Sequence, residues 1–295
     1  MSNADQVGSV PFLVVVAEAD PVASAVAASW GTPPATGDHV DGASIRQLGP
    51  GIRTLRRSTL HVEDDHLERH LPVPLREARP TLVFPSIHRS RENVVCLTVH
   101  PLGNLGPSAE VGGRPRAVDP TDPRAMASML RRLDDAGRAE GWRATYESTH
   151  HGPELELPAF FVEIGFGAAA EPPLAAVRIL AEAIRELARD TSDRVAMAVG
   201  GGHYAPHFTD LALRRRWAFG HIVSRHALEV LDAATARAAY AATPEAEGIV
   251  YSRVADAETP ALLGLARRCR DQEAPVRTAE KGTGPPSGGA RPSGT

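Results

Sequence analysis

Apolar runs of strand length alternate with longer stretches of helical periodicity along most of this chain, and this alternation constrains its fold more than any other feature. A strand followed by a helix and another strand is the signature of crossover connections around a largely parallel sheet. The clearest strand is Phe12–Ala17, three consecutive valines within an apolar run bounded by Pro11 and Asp20. Further strands are predicted over 81–84, 94–99, 142–147, 159–164, 195–199 and 248–251, enough for one sheet of six or seven strands.

Two helices stand out. Over 121–140, Asp122 supplies an N-cap and Pro123 the first helical position; Met126, Met129, Leu130 and Leu133 follow at helical spacing, and glycines at 137 and 141 end the run. Over 172–189, Leu174, Val177, Leu180, Ala181, Ile184 and Leu187 form a stripe opposite Arg178, Glu182 and Arg185. Both stripes read as core faces. More helix is predicted over 209–217, 226–241 and 260–271. The Gly, Pro and Asp content of 32–51 predicts a long loop. Residues 1–277 are expected to form a single α/β domain. The remaining 278–295 read as a disordered Gly/Pro-rich tail, since 281–295 holds five glycines and three prolines and nothing apolar to anchor it.

Composition excludes several classes. The chain has 295 residues, 42% hydrophobic and 23% charged, with a formal charge of −4. That balance suits a globular protein and gives no bulk charge for non-specific nucleic-acid binding. The longest apolar run, eight residues from Val10, is far short of the roughly 20 that a membrane helix needs. No basic-then-apolar leader opens the sequence, and two cysteines, Cys96 and Cys269, make no disulfide framework. A cytoplasmic location is expected.

The chemistry concentrates in the histidines. Of twelve, five lie at or just beyond the carboxyl end of a predicted strand: His88, His100, His150, His151 and His203. In an open parallel sheet such ends converge on one crevice, and Glu163 would add a carboxylate to it. Neutral imidazoles facing a carboxylate suit a borderline divalent cation such as zinc, whose bound water ionises near neutral pH. No HExxH, CxxC or P-loop pattern is present, so clustering carries this reading. His61, His66 and His70, in HVEDDHLERH, read instead as a solvated acidic helix face. Ser86, Ser90, Ser148 and Thr149 read as substrate-binding hydroxyls rather than nucleophiles, because no G-x-S-x-G elbow surrounds them. Cys96 reads as a small buried hydrophobe. Gly200, Gly201 and Gly202 form either a flexible turn or a place where backbone N–H groups meet a ligand.

Five blocks carry a resemblance: FPSIHRS at 84–90, LTVHPLGN at 97–104, YESTHHGPELELPAFFVEIG at 146–165, GGGHYAP at 200–206 and AFGHI at 218–222. In these the chain resembles the archaeal-type D-aminoacyl-tRNA deacylases, a zinc-associated family also found in plants. The resemblance runs from about residue 12 to about residue 269. It implies hydrolysis of the ester between a D-amino acid and the terminal ribose of tRNA. It also implies a three-layer α/β fold similar to that of peptidyl-tRNA hydrolase and purine nucleoside phosphorylase, a mostly parallel central sheet, and Zn2+ as cofactor. On the matching positions we expect His88, His150 and Glu163 to be catalytic. Ser86, Arg89, Asn104, Gly201, Gly202 and Tyr204 are expected to bind substrate, and His100, His151, His203 and His221 to hold metal. The partner implied is tRNA, with no membrane, and a monomer rather than an obligate oligomer. Two departures stand out: Phe166 and the small residues after it where the family has polar residues and a tryptophan, and His207 where it tends to have lysine or arginine. A peptidyl-tRNA hydrolase-like or other zinc-dependent hydrolase, and a catalytically silent tRNA-end binding protein, are the alternatives.

Overall fold

The computed structural model describes residues 11–88, 94–167, 171–252, 260–262, 264–266 and 268–269. The predicted tail over 278–295, Arg89 and Ser90 lie outside the described residues. In the first half the elements run β1 (Phe12–Ala17), α1 (Pro21–Ser29), β2 (Ala35–Val40), β3 (Ala43–Gly49), β4 (Ile52–Arg57), α2 (Val73–Glu77), β5 (Thr81–His88), β6 (Cys96–Pro101), β7 (Gly103–Asn104) and β8 (Ala117–Val118). The second half continues with α3 (Pro123–Gly137), β9 (Ala144–Tyr146), β10 (Ala159–Gly165), α4 (Leu174–Arg185), β11 (Arg194–Val199), α5 (Pro206–Arg215), β12 (Trp217–Val223), α6 (Arg225–Leu228), α7 (Ala233–Ala241), β13 (Ile249–Tyr251) and β14 (Arg268–Cys269).

The α/β expectation holds, with two main sheets where one was predicted. An eight-stranded sheet has the order β2-β3-β4-β1-β5-β10-β6-β9, and a four-stranded sheet the order β12-β11-β13-β14. The second is parallel throughout, whereas the first is antiparallel at β2-β3, β3-β4 and β10-β6 and parallel elsewhere. Strand alternation sends Val14, Val16, Phe160 and Val162 into one core with α1, α3 and α4. Their neighbours Leu13, Val15, Phe84 and Phe161 enter a second core on the opposite face, closed by Leu67, Leu71 and Leu75. Helix α3 joins the two sheets: Met126, Met129, Leu130 and Leu133 pack on the first, while Ala127 meets Val195 and Ala218 of the second. Its predicted cap is real, since Asp122 accepts a hydrogen bond from the Ala125 amide at 3.1 Å.

Several expectations are corrected. The segment predicted as a loop over 32–51 is the hairpin β2-β3, turned by Asp41 and Gly42 at φ 47° and 84°. Paired positive φ values are what a tight hairpin turn demands, and Asp-Gly supplies them. Trp217 opens a strand instead of ending a helix: Arg216 at φ 58° stops α5, and Trp217–Val223 is buried on every residue, so no alternation marks it as a strand. The helix predicted over 226–241 is interrupted, and Asp232 starts α7 afresh by capping the Thr235 amide at 2.7 Å. Of 260–271, the described residues form a 3₁₀ turn (Pro260–Leu262) and β14. Leu174, expected in the core stripe of α4, is 80% exposed because it is the first residue of that helix.

Candidate active site

The site rests on one face of the large sheet, not only on its strand ends. Strand β6 runs antiparallel to β10, and β9 follows β6, so their carboxyl ends point away from those of β5 and β10. Convergence comes from alternation instead. Phe84, Ser86 and His88 of β5, Phe161 and Glu163 of β10, and Thr98 and His100 of β6 alternate along neighbouring strands, with Glu163 in register with both Ser86 and Thr98. Phe161 is the floor: it stacks on Phe84 and His100, each with ring centroids 5.1 Å apart. His61 presents its ring edge-on to both phenylalanines, at 5.7 and 5.6 Å. It is buried and lines the pocket, which corrects the reading of His61 as part of a solvated face.

His150 and His151 arrive on the turn after β9. His151 holds φ 43°, an uncommon conformation for a residue with a side chain. Its carbonyl accepts from Gly103 N at 2.8 Å, and Gly152 N donates to Val111 O at 3.0 Å. A Cβ on Gly152 would lie 2.2 Å from Gly113 N, so the turn is pressed backbone to backbone against 112–113. Asn104, expected to bind substrate, serves this packing by donating to Gly112 O at 2.9 Å.

Three imidazoles share one orientation device. The Nδ1 atoms of His100, His150 and His151 lie 3.2, 2.7 and 2.7 Å from the carbonyls of Pro101, Ser148 and Gly152. A carbonyl can only accept, so each Nδ1 carries the proton and each Nε2 is left for another partner. The rings cluster with centroids 4.0 to 4.9 Å apart. One ligand atom from each histidine lies within 4.8 Å of the others, as it does in the adjoining groups His88, Glu147, His203 and His100, Glu147, Glu163. These residues suit a metal: His100 Nε2 and both Glu147 carboxylate oxygens are buried without a hydrogen-bond partner among the described residues, and imidazole with carboxylate is the donor set of zinc and its neighbours.

Glu147, which sequence reasoning did not single out, is fully buried at the centre. Its oxygens lie 3.1 Å from His88 Nδ1, 3.3 Å from His203 Nε2 and 3.5 Å from His150 Nε2. A carboxylate at a predicted strand end, three residues before His150, was the signal available. Asp20 was also overlooked. It caps α1 with one oxygen, accepting from Ala23 N at 2.8 Å, and with the other accepts from Ser86 Oγ at 2.9 Å and Ile87 N at 3.0 Å.

Electrostatics divide the histidines. Burial opposes charge on His88, but Glu163, 3.3 Å from its Nδ1, and Glu147 outweigh that and raise its pKa. The same contest, again won by Glu163, raises His100. Burial would raise Glu163, yet His100 and His88 hold it far below the usual carboxylate range. Burial and the neighbouring His100 push His150 well down and His151 to about 4, so both stay neutral at pH 7.

The resulting pocket has a volume of about 440 Å³, and Leu60, Val62 and Val111 line it as an apolar wall in addition to the Phe161 floor, the histidines and the carboxylates. Tyr204 reaches its edge and shares a 2.8 Å hydrogen bond with His88 Nε2. Gly201 and Gly202 do not line it; the Gly201 carbonyl accepts from Arg225 N at 2.9 Å. His221, expected among the metal ligands, lies apart from the cluster. It is fully buried, with Nδ1 3.1 Å from Thr149 Oγ1 and Nε2 2.9 Å from Asp119 O, so both nitrogens are already engaged. Cys96 is half-buried, 4.0 Å from the Tyr204 hydroxyl.

Comparison with known proteins places the chain among relatives. The model of the D-aminoacyl-tRNA deacylase family matches residues 76–266. D-aminoacyl-tRNA deacylase of Thermoplasma acidophilum is 35% identical over 173 residues, 58% of this chain and 67% of that protein. The protein of the same name from Methanoregula boonei is 46% identical over 145 residues, 48% of this chain and 32% of its own length. The chain thus spans about two thirds or less of these relatives. The crystal structure of the conserved protein of unknown function AF0625 superposes with a TM-score of 0.78 at 24% identity, over 91% of this chain and 98% of that one. The chain belongs to the D-aminoacyl-tRNA deacylase family.

Proposed function

We propose that this protein hydrolyses the ester between a D-amino acid and the terminal ribose of tRNA. The observation that carries the reading is the set of buried groups without a hydrogen-bond partner among the described residues, both oxygens of Glu147 and Nε2 of His100, clustered with the pocket-lining His88, His150 and His151. Leaving such groups unpaired costs roughly 1–3 kcal/mol each, a cost that a ligand or substrate can relieve. His150 and His151, neutral at pH 7, keep Nε2 available to hold a cation or take a proton. His88, whose charged form Glu147 and Glu163 favour, adds nearby positive charge against the negative charge that develops on the ester carbonyl oxygen. Glu163 acts by orienting His88 and His100, and Ser86, tied to Asp20, offers a positioned hydroxyl.

Zinc at His100, His150 and His151, with His203 and Glu147 adjoining, would supply a Lewis acid and a water of lowered pKa. The apolar wall takes the amino-acid side chain, and the stereochemistry around the α-carbon decides which enantiomer fits. A tRNA substrate supports a cytoplasmic location. The exposed large apolar residues, Val73, Val94, Leu174 and Val230 among them, lie on separate segments, which supports action as a monomer. Deacylation of D-Tyr-tRNA and L-Tyr-tRNA by the purified protein tests the reading. Hydrolysis of the D-form alone is expected, and equal rates on both would reduce it to a general esterase.

A further inference from the structure

Outside the pocket lining lies a second group of metal-ligand type that the proposed reaction does not use. Glu68 is 2% exposed, and neither of its carboxylate oxygens has a hydrogen-bond partner among the described residues. Its one ion-pair neighbour there is His66, with Nδ1 3.7 Å from Glu68 Oε1, and that nitrogen is also buried without a partner. A buried carboxylate with neither donor nor cation is unfavourable, because nothing replaces the solvation it gives up. Glu156 completes the group: one ligand atom from each of His66, Glu68 and Glu156 lies within 4.8 Å of the others. Arg69 takes Glu156 Oε1 at 2.7 Å and leaves the other oxygen. A cleft of about 320 Å³, lined by Glu68, Arg76, Glu77, Arg79, Glu156 and Leu157, opens the group to solvent.

We propose that His66, Glu68 and Glu156 form a binding site for a divalent transition-metal cation, separate from the pocket cluster. One imidazole and two carboxylates favour zinc or manganese over magnesium or calcium, which take oxygen ligands alone. The site is built on two segments already tied together. His66 N donates to Glu154 O at 2.8 Å, and Glu154 N donates to Asp65 Oδ1 at 2.7 Å. Residues 154–156 directly follow the turn that carries His150 and His151, so a cation here fastens that turn to the 65–68 segment. This inference does not rest on the deacylase reading.

The test strips the full-length protein of metal with EDTA, titrates it with zinc sulfate by calorimetry, and counts bound zinc by mass spectrometry. Wild type is expected to hold one equivalent more than Glu68→Gln, and to lose that excess melting temperature on EDTA treatment which Glu68→Gln never shows. In a His151→Ala background the same one-equivalent loss must persist, which separates this site from the pocket. If circular dichroism shows that Glu68→Gln does not fold, Glu156→Gln replaces it. Its position is exposed, and its affinity should fall by more than about tenfold, the loss that an outer-shell partner alone can cause. Equal zinc counts and affinities in wild type and the variants would overturn the proposal. So would a Glu68→Gln protein that is more heat-stable than wild type and binds as much zinc.

Discussion

Thr81 opens β5 and His88 closes it, and the polar groups gathered at these two places are used in opposite ways. At the opening, Asp122 Oδ2 accepts from Thr81 Oγ1 and from Arg189 Nε, each at 2.6 Å. Arg189 also donates to Thr81 Oγ1 at 2.9 Å and covers the Phe12 ring at 4.7 Å. The other Asp122 oxygen caps α3, so nothing in the carboxylate is left over. Around His88, imidazoles and carboxylates are buried as deeply, yet both Glu147 oxygens and His100 Nε2 have no hydrogen-bond partner among the described residues. Satisfied buried groups stabilise; unsatisfied ones need an external partner, and that difference separates a structural cluster from a site.

Substituting one residue in each cluster should cross this comparison. His151→Ala is expected to lower kcat/KM on D-Tyr-tRNA by more than about a hundredfold, the scale of a lost acid–base or charge-stabilising group. Circular dichroism and melting temperature should change little. Asp122→Ala should do the reverse: stability falls by roughly 2 kcal/mol, from a lost N-cap and a partly screened ion pair, with turnover per folded molecule unchanged. A His151→Ala protein with full turnover, or an Asp122→Ala protein that stays stable and loses activity, would break the distinction.

The two clusters also differ in how far the sequence revealed them. Asp122 was legible because capping is local: an acidic residue before Pro123 and an apolar stripe has one structural meaning. The histidines at 88, 100, 150, 151 and 203 were legible as strand-end residues, and the structure brings all five together. What brings them together was not legible, since the antiparallel pairing of β10 with β6 depends on contacts far apart in sequence. Glu147 and Asp20 escaped notice because a single carboxylate has no pattern, and each acquires its role only from the groups packed around it. His61 was misread because its neighbours Glu63, Asp64 and Asp65 are acidic, while its ring turns inward onto Phe84 and Phe161. Two strands of the second sheet, β11 and β13, were legible, but β12 between Trp217 and Val223 was not, and nothing in the sequence separated these strands from the large sheet.

His221 sharpens the comparison, because it is buried like His100 but satisfied like Asp122. His221→Ala should leave zinc content and the turnover of folded protein unchanged. It should cost about 2–4 kcal/mol, through the cavity and the hydrogen bonds lost at Asp119 O and Thr149 Oγ1. Loss of zinc from a folded His221→Ala protein would restore it as a ligand.

Asp119, whose carbonyl holds His221, tests the same rule through pH. Burial, with Glu154, Glu68 and Asp65 nearby, pushes its carboxyl up to about 8. The native state therefore keeps a proton that the unfolded chain releases near pH 4. The stability this contributes is complete below pH 4 and is lost progressively as the pH rises to about 8. Asp119→Asn removes that slope, and above pH 8 it should be more stable than wild type by at least about 1.4 kcal/mol, the equivalent of one pKa unit. Parallel stability-versus-pH curves for the two proteins would show that Asp119 ionises normally.

The smallest expected effect is at the pocket edge. The Tyr204 hydroxyl accepts from His88 Nε2 when His88 is charged, at 2.8 Å, and so favours the charged form together with Glu163 and Glu147. Tyr204→Phe removes one such bond of about 1 kcal/mol, or roughly fivefold in rate, and the partial exposure of Tyr204 lets water replace part of it. The two carboxylates remain, so the pKa of His88 stays raised. The variant should show a fall in kcat/KM of fivefold or less, with the limb of the pH profile that reports His88 displaced toward lower pH. A displaced limb identifies Tyr204 as a residue that positions and tunes His88. A loss near a hundredfold with the profile unmoved would mean that the hydroxyl itself touches the reacting ester, and Tyr204 would then belong with His151 among the groups whose bonding capacity is reserved for substrate.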